Sequence, residues 1–298
     1  YFDIEPYKTY RDYFNVYTIF GMSNDSGMGT VNTIRDAKFG SQYSLDGISP
    51  DHATCYEYAM KAETVNEDNL GETLVVLIEN TTDYGGICYM WGDGSAIACC
   101  PMSADAYPYD FRGIVQHEAG GHGFGKLADE YIYHNAFIQS CTCICCDHLG
   151  SYFPPSGFRG GKALGWYRNL SENGDMKTVE WAHLIYHKDY SNIVDMYEGG
   201  YFHTRGIYRS EATSCMNNNI PYYSAISRQE MVERIMKYAG KEFDINDFYA
   251  KDVRDASNNT RSGMPLVVED NAATLKGASK QLPPKYMGDK PQLKRSNK

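Results

Sequence analysis

A histidine followed directly by a glutamate, with a second histidine close behind, can hold a metal ion and activate a water molecule. The chain has such a run at His117-Glu118-Ala119-Gly120-Gly121-His122. In the zinc-site pattern H-E-x-x-H the histidines stand four apart on an α-helix. They point the same way because the helix advances about 100° per residue, and the Glu beside the first can polarise a metal-bound water. Here the histidines are five apart, and an undistorted α-helix would separate their imidazoles by about 140°. Three readings follow: a coincidence on a solvated helix, a degenerate and inactive relative, or an extra residue absorbed as a π-bulge. A π-bulge realigns residues five apart and recurs at functional sites. Gly120-Gly121 favours it, because paired glycines let a helix bulge at little steric cost. A purely structural helix should avoid them, since together they cost about 1–2 kcal/mol.

The longer run HEAGGHGFGKLADEY (117–131) resembles the IgA-peptidase family of bacterial zinc metallopeptidases. The family pattern is H-E-x-G-H, a short glycine-containing segment, then Leu-x-Asp-Glu-Tyr. His117 and His122 match its ligands and Glu118 its base; Leu127, Asp129, Glu130 and Tyr131 match the closing motif, and the extra glycine is the departure. A weaker resemblance spans roughly residues 7–239, including Phe111-Arg112-Gly113 and Tyr208-Arg209…Ser214-Cys215-Met216. It implies a zincin-like, metzincin-type α/β fold, with a twisted mixed sheet, an active-site helix and an irregular C-terminal lobe.

Metzincins reverse at a glycine after the second His and bring a further ligand back to the metal. Gly123 and Gly125 offer that reversal, which makes Asp129 the expected third Zn2+ ligand. Glu130 is its rival, with His134 and more distant groups behind. Met216 stands where metzincins place a tight turn beneath the metal, although a lone Met ordinarily packs a core. The implied function is a secreted, periplasmic or cell-surface endopeptidase cutting a protein or glycoprotein, of immunoglobulin or mucin type. Alternatives are a catalytically inactive binding module on a protease-like fold and a zinc-stabilised structural protein.

The elements that must position these residues are partly readable. Tyr13–Phe20 is β-branched and aromatic and predicts a strand. Residues 21–50 are too long for a plain connection and predict either a functional loop or an excursion with small elements of its own. Asp51 introduces a helix-like run to about Val65. Thr73–Glu79 is continuously apolar, the pattern of a strand buried on both faces; strand, helix and strand suggest a right-handed parallel unit. Gly86–Met90 and Ser95–Cys100 flank Trp91-Gly92-Asp93-Gly94, a hairpin signal. Either strand could accept a substrate peptide along its edge, in a groove between lobes. Asp110 is placed to cap the helix that carries His117. Ser227-Arg228-Gln229-Glu230 reads as a capping box before the stripe Met231, Val232, Ile235, Met236 and Ala239. These signals divide the chain into an N-terminal lobe over 1–125, a C-terminal lobe over 126–250, and a polar tail or extended segment over 251–298.

Composition bounds the remaining classes. The 298 residues are 42% hydrophobic, in the globular range. A net charge of -10 argues against nucleic acid, whose binding needs a Lys/Arg surface. No run approaches the roughly 20 apolar residues of a membrane span. The start at Tyr1 reads as a processing boundary, with room upstream for a signal or another domain.

Nine cysteines include Cys99-Cys100 and the cluster Cys141, Cys143, Cys145 and Cys146. Disulfides, free thiols and a second zinc site with His148 all remain open for that cluster, and the odd count leaves at least one thiol unpaired within the chain. Cys99 or Cys145 as a nucleophile beside a histidine is a reading of another class. His183, His187 and His203 default to surface or core roles, with His203 a candidate to stabilise an oxyanion.

Overall fold

The glycine- and serine-rich stretch after residue 21 makes a small sheet: β1 (Gly29–Thr30), β2 (Gln42–Ser44) and β3 (Gly47–Ser49). It is therefore an excursion with elements of its own. The computed structural model describes residues 1–44, 47–83, 85–132, 157–254 and 283–293. They fall into two compact units, Asn15–Phe124 with Leu275–Lys298 and Tyr1–Phe14 with Gly125–Thr274. The strand predicted at Tyr13–Phe20 does not form: Arg11–Tyr13 is a 3-10 turn, residues 14–23 carry no strand pairing, and Val16 and Phe20 are exposed. β-propensity describes a residue that suits a half-buried pleat, and without a ladder partner it makes no strand.

In the first unit Asp51 caps α1 (His52–Ala59), its carboxylate accepting from the Thr54 N–H at 3.0 Å. The helix is shorter than the sequence predicts. A 3-10 segment, Glu67–Glu72, then leads into β4 (Leu74–Glu79). β5 (Ile87–Met90) and β6 (Ala96–Pro101) form the expected antiparallel hairpin. Gly94 closes its turn at φ +107°, which only glycine adopts freely, and the Trp91 N–H donates to the Ser95 carbonyl at 3.0 Å.

β6 lies between β5 and β4, parallel to β4, so the expectation that Ser95–Cys100 offers an edge to substrate is wrong. Side chains alternate across this sheet. Leu77, Ile87, Tyr89, Ile97 and Cys99 join Cys55 and Tyr56 of α1 in one core cluster. β4 is not buried on both faces: Val76 and Ile78 are exposed while Leu77 and Glu79 are buried. Its apolar run belongs to an outer strand of the sheet. With no strand at Tyr13–Phe20, the predicted parallel unit is absent too. The opposite face is covered by α2 (Phe111–Ile114) and its π-helical continuation Val115–Phe124, which packs on β4, β5 and β6.

The second unit is built from short elements: α3 (Phe158–Ala163), β7 (Leu170–Ser171), α4 (Ala182–Ile185), β8 (Tyr197–Gly200), β9 (His203–Arg209) and α5 (Cys215–Asn218). They precede the longest helix described, α6 (Ala225–Tyr238), and α7 (Ile245–Lys251). Met231, Val232, Ile235 and Met236 are buried as their spacing predicts.

The capping box does not cap. Ser227 and Glu230 lie inside α6, which starts earlier, and the buried Glu211 carboxylate accepts from the Ala225 N–H at 2.6 Å. A carboxylate from a distant segment thus satisfies the first turn, where the helix dipole favours negative charge. Arg228 instead pairs bidentately with Asp252, at 2.7 Å for both bonds, and both are buried. In the first unit, β10 (Lys285–Tyr286) adds parallel to β5, giving the order β10-β5-β6-β4. The cysteine cluster 141–146, with His134 and His148, lies outside the described residues.

Candidate metal centre

Asp110 starts the helix that carries the two histidines: its carboxylate accepts from the Gly113 N–H at 3.3 Å and its carbonyl from the Ile114 N–H at 3.1 Å. After one α-turn the backbone widens into the π segment, Val115–Phe124. Bonds of the i→i+5 type realign residues five apart. His117 and His122 accordingly face each other, with ring centroids 4.8 Å apart at 80°.

The glycines serve the same local geometry. A Cβ at Gly123 would sit 2.6 Å from Leu74 Cδ1, so any larger residue would have to push the Leu74 side chain aside. A Cβ at Gly86, just before β5, would sit 2.7 Å from Glu118 Oε1. The glutamate carboxylate therefore occupies space that a larger residue at 86 would take. Both histidines and Glu118 are buried.

The stretch that follows is anchored through its backbone. The Tyr167 N–H donates to the Lys126 carbonyl at 2.9 Å, the Tyr201 N–H to that of Asp129 at 2.9 Å, and the Phe202 N–H to that of Tyr131 at 3.0 Å. Asn169 brackets Ala128, accepting from its N–H and donating to its carbonyl, each at 2.9 Å. Lys126, Tyr167, Tyr201 and Phe202 have φ of 55°, 59°, 44° and 67°. Such backbone costs a non-glycine residue about 1 kcal/mol or more and persists where surrounding bonds over-determine it. These bonds hold the chain on either side of Asp129.

Glu130 is fastened separately. Its Oε1 accepts from Asn169 Nδ2 at 2.9 Å and its Oε2 from Ser214 Oγ at 2.6 Å. Its N–H donates to the Met216 carbonyl at 2.8 Å, and its carbonyl accepts from Asn217 Nδ2 at 3.3 Å. Burial pushes the Glu130 carboxyl upward, opposed by those two side-chain bonds and by the charge of buried Arg209. Ser214 also caps α5, accepting from the Met216 N–H at 3.1 Å. Met216 is fully buried on the short helix that Glu130 clamps.

One ligand atom from each of His117, His122 and Asp129 lies within 4.8 Å of the other two, and all three residues are buried. Of the adjacent carboxylates it is Asp129 that joins the histidines, while both Glu130 oxygens are engaged elsewhere. The other candidates have local explanations. His183 bonds Gln229 Oε1 at 2.7 Å, and His187 packs on Tyr249 with centroids 4.2 Å apart. His203 begins β9 half-buried, and burial pushes its imidazole toward the neutral form. Cys99 is buried among apolar side chains that push its thiol well up, which removes the thiolate a nucleophile needs. Cys145 lies outside the described residues.

Asn169 and Gly86 were not singled out by sequence reasoning. Asn169 sits in an unpatterned stretch and carries no local signal, whereas Ser214 fell within the family resemblance.

No helix among the described residues is long and apolar enough to cross a membrane. A comparison with curated proteins finds no match. Residues 1–140 match the model of the family described as IgA Peptidase M64. That stretch contains the whole His117–Asp129 segment, and the match supports membership of the chain in the IgA-peptidase family, a family of metallopeptidases acting on protein substrates.

Proposed function

We propose that this protein is a zinc-dependent endopeptidase with a zincin-like, metzincin-type catalytic domain. The observation that carries the reading is the grouping of His117, His122 and Asp129 on a π-distorted helix and its continuation, with Glu118 beside the first histidine. Two imidazole nitrogens and one carboxylate oxygen suit zinc, and three protein ligands leave a position for water or substrate as catalytic sites require. His117, His122 and Asp129 are the proposed ligands, and Met216 is the proposed residue of the turn beneath them. When bound, zinc would polarise the scissile carbonyl and acidify a water.

Glu118 follows a ligand directly in sequence, which suits a base that must reach the attacking water. It takes the proton from that water and hands it to the leaving amine. Gly86 leaves room for its carboxylate. The substrate is a protein segment bound in extended form; a secreted or cell-surface setting and an immunoglobulin- or mucin-type target follow from the family alone.

Metal analysis combined with digestion of a broad peptide library tests this. Glu118→Gln is expected to abolish cleavage while zinc content stays near that of the wild type. His117→Ala and His122→Ala are each expected to lose zinc, since one of three ligands disappears. Wild-type turnover in Glu118→Gln, or full zinc retention in both histidine variants, would overturn the assignment. A zinc-loaded wild type that cleaves nothing would favour an inactive binding module instead.

A further inference from the structure

The segment that carries Asp129 is gripped at alternate residues. Asn169 holds Ala128 and Glu130. The Tyr201 and Phe202 amides hold the carbonyls of Asp129 and Tyr131, and Phe202 forms a parallel bridge with Ile132. Both grips spring from one sheet. β9 is the middle strand of β7-β9-β8, and Arg209 at its C-terminal end stands opposite Leu170 of β7 and Tyr197 of β8. Asn169 directly precedes β7, and Tyr201 and Phe202 directly follow β8.

The path from β8 to Tyr201 is not a plain ladder. The register of β8 with β9 shifts between Glu198 and Gly200, and Gly199, inside the shift, has φ +108°. A bulge of this kind takes backbone groups out of the ladder, and a carbonyl left there needs a donor from elsewhere. Arg209 supplies it. Its Nη1 donates to the Glu198 carbonyl at 3.1 Å and to the Gly199 carbonyl at 2.6 Å. Its Nη2 donates to the Ala212 carbonyl at 3.4 Å, two residues before the Ser214 that bonds Glu130. The guanidinium is wholly buried. Its rigid fork can serve carbonyls on two segments at once, which a single ammonium cannot. A Cβ at Gly199 would meet Arg209 Nη1 and Ile132 Cγ2, each at 3.3 Å. Bulge, guanidinium and the end of the gripped segment are therefore packed together.

We propose that Arg209 is a positioning residue for the metal centre: by fixing the β8 bulge it sets where Tyr201 and Phe202 hold the backbone of Asp129, and so where the Asp129 carboxylate meets the two histidines. The proposal rests on the ligand assignment above. Arg209 acts through the backbone of β8 and of the Asp129 segment, not through contact with metal or substrate. Tyr201 and Phe202 hold left-handed φ of 44° and 67°, a conformation that persists only where neighbouring bonds impose it. The bonds from Arg209 to the bulge just before them are part of that imposition.

The test uses the full chain and three variants. Arg209→Lys keeps the charge and loses the fork. Gly199→Ala leaves Arg209 in place and strains the bulge itself. Arg228→Lys is the control: another buried arginine, bonded to Asp252 and the Tyr223 carbonyl, with no printed part in the grip on Asp129. Thermal unfolding and amide hydrogen exchange are measured on the apo proteins, zinc Kd by competition titration, and metal geometry from the visible absorption of the Co2+-loaded forms. In Arg209→Lys and Gly199→Ala, exchange at the Tyr201 and Phe202 amides is expected to quicken. Zinc Kd should rise about 10- to 100-fold, the loss typical when a group that orients a ligand is removed, and the Co2+ spectrum should shift. Arg228→Lys should lower the melting temperature and leave Kd and spectrum as in the wild type.

A folded Arg209→Lys with wild-type zinc Kd and Co2+ spectrum would overturn the proposal, whatever its stability. An equal rise of Kd in Arg228→Lys would overturn it too, because general loosening of the fold would then account for the effect. Should Arg209→Lys fail to fold, Gly199→Ala decides by the same two readouts. Failure of the ligand assignment shows itself separately, as full zinc retention in His117→Ala and Asp129→Ala, and would take this proposal with it.

Discussion

The two adjacent carboxylates, Asp129 and Glu130, should separate metal binding from folding. Glu130→Ala removes the acceptors of Ser214 Oγ and Asn169 Nδ2, both on fully buried residues. A buried donor that loses its partner costs about 1–3 kcal/mol. Arg209, also fully buried, loses the nearby negative charge as well. The sum is about 3–5 kcal/mol, a fall in melting temperature of roughly 5–10 °C for a chain of this size. Asp129→Ala leaves all of these bonds in place, so the apo protein should lose less stability than Glu130→Ala does, while zinc affinity falls about 100-fold or more with the loss of one ligand. The assay is urea and thermal unfolding of both variants with a chelator present, followed by zinc titration of the folded proteins. Retained apo stability with lost zinc in Glu130→Ala, or a large apo destabilisation in Asp129→Ala, would refute the reasoning.

Two further outcomes follow from burial and steric fit. Gly86→Ala sets a methyl 2.7 Å from Glu118 Oε1, too close for the carboxylate to stay where it is, so kcat should drop about 100-fold, as for a misplaced catalytic group, with KM and zinc content little changed; unchanged kcat would show that Glu118 does not need that space. Burial pushes the Glu79 carboxyl from 4.5 up to about 7, partly opposed by the nearby Ser41 hydroxyl. The folded state therefore holds its proton more tightly than the unfolded chain, and the associated stability is present in full below about pH 4.5 and lost as pH rises through about 7. Unfolding free energies from urea titration should fall with pH across that window by about 3 kcal/mol in the wild type and stay flatter in Glu79→Gln; equal slopes would contradict the assignment.

The local chemistry was legible in the residues. His117, Glu118 and His122 declare a metal-type segment by type and order, and Gly120-Gly121 declares that its helix can depart from α geometry. The hairpin around Trp91-Gly92-Asp93-Gly94, the Asp51 and Asp110 caps and the stripe from Met231 to Met236 were readable for a similar reason. Each depends on neighbours within a few residues, where dihedral preference and side-chain periodicity act directly.

The failures share the opposite cause. Tyr13–Phe20 has strand-forming residues and no strand, because a ladder needs a partner that its own sequence does not specify. Thr73–Glu79 reads as doubly buried, yet the strand it forms, Leu74–Glu79, is an outer strand with one face partly in water. Ser227 and Glu230 make a capping box on paper, while the helix is capped by Glu211, fourteen residues before Ala225. Asn169 and Ser214 reach Glu130 from 39 and 84 residues away. Sequence identified the groups that could bind and activate. Only the tertiary structure decided which carboxylate was consumed by hydrogen bonds and which joined the histidines, because buried polar groups are satisfied by whatever partners the fold brings within about 3 Å, however far away they lie along the chain.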